Sequence, residues 1–92
     1  MTFNELEFKE QQRPWTSDRI QAVVSFNNGY GASVVKGATT YGGKQGLYEL
    51  AITKLNENSK WEICYDTPIT NDVIGHLTED DVTGILKQIE QL

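Results

Sequence analysis

Residues 19–37 read RIQAVVSFNNGYGASVVKG, two β-rich runs meeting at Asn27-Asn28-Gly29. Asn-Gly between alternating apolar residues is the strongest short-range hairpin signal, and it permits two registers. A two-residue loop at Asn28-Gly29 sets Phe26 across from Gly31, Val24 across from Ser33 and Ala22 across from Val35, which mixes the faces. A three-residue loop, a type I turn closed by Gly29 in the left-handed region, pairs Phe26 with Tyr30, Val24 with Ala32 and Ala22 with Val34. One face is then continuously apolar, while the other carries Gln21, Val23, Ser25, Gly31, Ser33 and Val35. A one-residue slip turns every side chain over, so the pattern selects the three-residue loop.

Outward from this hairpin, the second half of residues 1–10 alternates, with Leu6 and Phe8 on one side and Glu5, Glu7 and Lys9 on the other, and predicts a charged edge strand. Arg13-Pro14-Trp15 marks the loop that follows, because proline removes a ladder donor. Trp15 is placed to cap the core or to serve as an exposed aromatic anchor. On the other side, residues 47–54 and 61–66 predict a second hairpin around the polar turn at residues 56–60. In this reading Tyr48, Leu50 and Ile52 oppose Trp61, Ile63 and Tyr65, with Glu49, Ala51, Glu62, Cys64 and Asp66 outward.

The C-terminal third carries helix punctuation. Pro68 ends the last strand, and residues 70–75 read as a single helical turn closed by Gly75. Thr78 is an N-cap, Asp81 stands at the capping-box position, and Leu77 can staple to Val82. Val82, Ile85, Leu86, Ile89 and Leu92 then recur at helical spacing as one apolar stripe. The expectation is an α+β fold: an antiparallel β-sheet meander of four to five strands with a C-terminal α-helix packed on one face. Residues 1–92 read as one domain, since a chain of 92 residues supports a single modest core.

Thirteen acidic against eight basic residues give a net charge of −5. There is no cationic field to displace phosphate counterions, so direct nucleic-acid binding is not expected and a basic protein surface suits better. The acidic, polar start lacks the pattern of a secretory signal, and no apolar run is long enough to span a membrane. With one cysteine, Cys64, these features predict a cytoplasmic protein.

No motif in the chain carries a catalytic signature. Gly37-Ala38-Thr39-Thr40-Tyr41-Gly42-Gly43-Lys44-Gln45-Gly46 is glycine-rich and holds a lysine, but its phosphate-loop frame begins on Ala38 and ends on Gln45, and a strand follows it. It reads as a flexible connection that brings Tyr41 and Lys44 to the surface. His76 is the single histidine, and Cys64 has no paired cysteine, so neither a metal site nor a cofactor is expected. The acids of residues 72–81 do not match a calcium loop.

The stretch from Tyr65 to Gly75, YDTPITNDVIG, together with Asn28-Gly29-Tyr30-Gly31-Ala32-Ser33-Val34-Val35 and Tyr41-Gly42-Gly43, resembles a family of small proteins encoded by phages and prophages of Gram-positive bacteria. The resemblance covers most of the chain. It implies a phage accessory protein that acts in the host cytoplasm by binding a host or defence component; with no catalytic motif in the chain, the expectation is a binding protein that inhibits or modulates that component, not an enzyme, which stands as the third reading. The residue-level reading gives the sheet face away from the helix and the loop at residues 37–46 as the binding region, with Tyr30, Tyr41 and Lys44 as candidate contacts. The alternative is a structural or assembly protein that homodimerises through the open sheet face. An acidic inhibitor occupying a nucleic-acid site would need its carboxylates gathered on one face.

Overall fold

A computed structural model describes residues 1–10, 19–37 and 40–92. The loop with Arg13, Pro14 and Trp15, and Ala38 and Thr39 of the glycine-rich stretch, lie outside the described residues. The first hairpin has the register that the alternation selects. Strands β2 (Ile20–Ser25) and β3 (Tyr30–Lys36) pair Ala22 with Val34 and Val24 with Ala32. The Phe26 amide donates to the Tyr30 carbonyl at 2.7 Å, which closes the three-residue loop. Gly29 takes φ +83°, the left-handed conformation that the loop needs and that a side chain resists.

Around this hairpin the sheet grows on both sides. The first strand is shorter than its alternation suggests: β1 (Lys9–Glu10) alone pairs with β2 at one edge, Glu5 lying in a 3₁₀ turn (Phe3–Glu5), and β4 (Tyr48–Leu55) pairs antiparallel with β3. The far side of β4 is shared end to end by β5 (Trp61–Ile63), beside Thr53, Lys54 and Leu55, and by β6 (Ile74–Leu77), beside Tyr48 and Leu50. The class is α+β, as expected, with six antiparallel strands among the described residues. The predicted helical turn before Gly75 is instead the approach to β6. Thr67, Thr70 and Asp72 hold it in bends through their own side-chain bonds, so the chain returns to β4.

Helix α1 (Glu79–Glu90) begins as its sequence dictates. Thr78 Oγ1 accepts from the Asp81 amide at 3.1 Å and the Asp81 carboxylate accepts from the Thr78 amide at 3.0 Å, a capping box with Asp in the Glu position. Val82, Leu86 and Ile89 are fully buried against Ala22, Ala32, Val34, Leu50 and Ile52. Each such aliphatic is worth roughly 1.5–3 kcal/mol when buried, so this seam carries much of the fold's stability. Phe3, Phe8 and Tyr48 extend the core toward the N-terminus as an aromatic trio with centroids 5.0–5.6 Å apart. The Met1 ammonium pairs with Glu90.

At the other end the hairpin turn caps the helix. Asn28 Nδ2 donates to the carbonyls of Ile89 at 2.8 Å and Leu92 at 3.2 Å, and its Oδ1 accepts from the Tyr30 amide at 3.1 Å. The last carbonyls of a helix have no partners within it, so this side chain fixes sheet and helix in one orientation.

Candidate functional site

With α1 on the even-numbered side of β2–β4, the odd-numbered residues form a second face that no described helix covers, buried at Val35 on one end and exposed at Val23 further along. Its centre is built from small side chains, Gly31 and Ser33 on β3 and Ala51 and Thr53 on β4, which the register sets side by side. Larger apolar residues stand on either side of this floor. Val23 is 66% exposed on β2, and on the other side Leu55 is 40%, Trp61 44% and Ile63 47% exposed. The result is a trough, floored by small residues, between Val23 on β2, flanked there by Gln21 and Ser25, and the apolar ridge of Leu55, Trp61 and Ile63.

The ridge of Leu55, Trp61 and Ile63 is a correction to the sequence reading. The second hairpin pairs Thr53 with Ile63 and Leu55 with Trp61, while the Cys64 amide donates to the Ile52 carbonyl at 2.7 Å. The register is shifted by an odd number of residues from the expected pairing, which moves Trp61 and Ile63 from the helix side to the open side and Cys64 into the core. The cause lies in the turn. Residues 57–59 form a second three-residue loop closed by the Asn56 amide bonding to the Lys60 carbonyl at 2.8 Å, with Ser59 at φ +60° where the first hairpin has glycine. Asn56 Oδ1 accepts from the amides of Asn58 at 2.9 Å and Lys60 at 3.0 Å, which holds this loop without glycine.

Electrostatics vary around the trough. On its β2 side, Glu7, Lys9, Glu10, Gln21 and Val23 line a surface depression of about 280 Å³. Gln21 Nε2 donates to Ser33 Oγ at 2.7 Å across the face. Beyond β5, the Cys64 thiol donates to the Asp66 carboxylate at 2.8 Å. Burial, then this bond, pushes the thiol above its ordinary pKa, and the same bond holds Asp66 below the usual carboxylate range. The described carboxylates are not gathered on one face. Glu7 and Glu10 stand at the β1 edge, Glu57 and Glu62 at the β5 hairpin, Glu79, Asp80 and Asp81 at the helix start and Glu90 at its end. The condition for a nucleic-acid mimic is therefore not met.

The expected contact residues fall in two places. Tyr30 opens β3 on the helix side, packed against the core with Lys54 Nζ 5.6 Å from its ring centroid. Tyr41 and Lys44 are exposed beyond the opposite end of β3, roughly 20 Å along the strand. Their loop is not the loose connector that its composition suggests. A 3₁₀ turn at Gly43–Gln45 shapes it, and the Tyr41 carbonyl accepts from the His76 amide at 3.2 Å. A Cβ on Gly75 would lie 2.5 Å from that of Tyr41, so the two segments meet where only glycine fits. His76 itself is held at φ +58°.

Among the described residues no group of three or more His, Cys, Asp or Glu is arranged to hold a metal, and no helix is long and apolar enough to cross a membrane. Comparison with known proteins finds no matching family model, curated protein or solved structure.

Proposed function

We propose that this chain is a protein-binding module whose sheet face opposite α1 docks a protein partner, in keeping with a phage accessory protein that modulates a host or defence component. The observation that carries the reading is the trough: Val23, Leu55, Trp61 and Ile63 stand exposed around Gly31, Ser33, Ala51 and Thr53. A sheet face normally meets a second layer, and grouped exposed apolar residues mark interaction surfaces. Trp is also the side chain that most often dominates binding energy at interfaces. Tyr41 and Lys44 are peripheral contacts in this proposal, and Tyr30, on the helix side, is not used.

The experiment is affinity capture from lysate of a Gram-positive host with quantitative mass spectrometry, run on wild type, Ala51→Arg and Gln88→Arg. Ala51 lies on the trough floor, whereas Gln88 is exposed on α1. A specific protein retained by wild type and Gln88→Arg but lost with Ala51→Arg is the expected result. Equal retention by all three would refute the assignment of the face.

A further inference from the structure

Asn28 is the only asparagine in the chain that is followed by glycine. Such a pair is chemically labile, because glycine has no side chain to keep its backbone nitrogen from closing on the neighbouring carboxamide. After the Gly29 nitrogen has given its proton to water, it bonds to Cγ of Asn28. The Cγ–Nδ2 bond then breaks, and Nδ2 takes a proton back and leaves as ammonia. Water opens the resulting cyclic imide at either carbonyl, which yields aspartate or isoaspartate. The sum is water consumed and ammonia released, with no change of oxidation state. Asn28 is exposed, so water reaches it.

We infer that Asn28-Gly29 is a self-modification site which helix α1 holds in check, and which is released when the last turn of the helix leaves the sheet. The groups that ring closure needs are all engaged in the fold. Nδ2, the leaving group, donates to the Ile89 and Leu92 carbonyls at 2.8 and 3.2 Å, and Oδ1 accepts from the Tyr30 amide at 3.1 Å. Bonds at both ends fix the plane of the carboxamide, and an attacking nitrogen must meet the face of that plane. The nucleophile itself, the Gly29 amide, donates to the Phe26 carbonyl at 3.3 Å. Ring closure therefore requires the bonds to the helix to break first. Their acceptors are placed by Ile89, which is fully buried in the core, so the check depends on the docking of α1 and not on the turn alone. A helix end can open locally without global unfolding.

The reaction runs one way. Aspartate puts a carboxylate where Nδ2 stood, facing carbonyls at the negative end of the helix dipole. Isoaspartate adds a methylene to the main chain inside the loop that sets the hairpin register. Either product opposes redocking, so a molecule whose helix end stays open long enough to react is permanently marked.

The test incubates the full chain at neutral pH, native and in urea, beside native Ile89→Val and Ile74→Val. Peptide mass spectrometry that separates aspartate from isoaspartate follows each asparagine. Ile89→Val loosens the end of α1, whereas Ile74→Val trims β6 at the far side of β4. In urea Asn28 should convert faster than any other asparagine. In the native protein it should convert at least tenfold more slowly, since several hydrogen bonds must open first. Ile89→Val should speed native conversion at least threefold more than Ile74→Val, after allowance for their stabilities from urea midpoints. Native conversion as fast as in urea would overturn the inference. Equal acceleration by the two variants would overturn it as well, by tying the reaction to global unfolding. The converted protein, separated by ion exchange, should have a lower urea midpoint than the unconverted one, and its aspartate form should match Asn28→Asp. A converted protein as stable as the original would refute the marking.

Discussion

Replacing Asn28 with alanine should destabilise the protein through a helix sixty residues away in sequence. The side chain makes three bonds: to the Ile89 carbonyl at 2.8 Å, partly buried, and to the Leu92 carbonyl and the Tyr30 amide at 3.2 and 3.1 Å, both exposed. A net hydrogen bond is worth about 0.5–1.5 kcal/mol, with the exposed ones at the low end, so the loss should total about 2 kcal/mol. For a domain of this size that corresponds to a fall in Tm of roughly 8–16 °C. Asn28→Asp sharpens the argument. It keeps the acceptor for Tyr30 but sets a carboxylate against carbonyls at the negative end of the helix dipole, and at pH 7 should cost at least as much as alanine. Thermal unfolding followed by circular dichroism measures both. An Asn28→Ala protein melting within 2 °C of wild type would refute the link between turn and helix.

Three further outcomes follow from the backbone and the titrating groups. Gly29→Ala meets no neighbouring atom, so its cost is purely that of alanine at φ +83°, about 1–2 kcal/mol by urea titration. An unchanged urea midpoint would contradict the three-residue loop. His76→Val should lose about 1–2 kcal/mol at φ +58°, while His76→Gly should not destabilise; the reverse order would mean that the ring, rather than the backbone, matters there. Stability should also decline at both pH extremes. Asp66, held low by the Cys64 thiol, and Glu5, held low by the Thr2 amide, contribute stability above about pH 4 that is lost as pH falls through their folded pKa values. Cys64, raised by burial and then by Asp66, contributes stability that is present below about pH 8.5 and lost as pH rises through its folded pKa. Cys64→Ala should flatten the alkaline limb of a urea-midpoint profile, and an unaltered limb would exclude the thiol.

The two hairpins show what a sequence of this kind discloses. In the first, Gly29 announces the left-handed position and only one face is continuously apolar, so register follows from pattern. The second uses the same three-residue loop with Ser59 in the left-handed position, held by Asn56 rather than marked by glycine. Its open side, Leu55, Trp61 and Ile63, is as apolar as its buried side, so hydrophobic alternation points to the wrong register. That same ambiguity hid the trough, whose ridge residues resemble core. Helix α1 was fully legible because Thr78, Asp81 and the stripe from Val82 to Ile89 each point to the same element. Strand β6 was not, since Gly75 resembles a helix stop, and only the fold shows that it lets the chain pass Tyr41. The Asn28 cap depends on a contact 61 residues apart, which no local pattern encodes.

The proposed functional surface is the sheet face opposite α1. Carbene footprinting of the chain, alone and in complex with the partner captured by wild type but not by Ala51→Arg, tests it residue by residue. Strong protection is expected at Val23, Leu55, Trp61 and Ile63, with labelling of the exposed residues of α1, Lys87 and Gln88 among them, unchanged. Protection concentrated on α1, with the four ridge residues labelled as in the free protein, would contradict it.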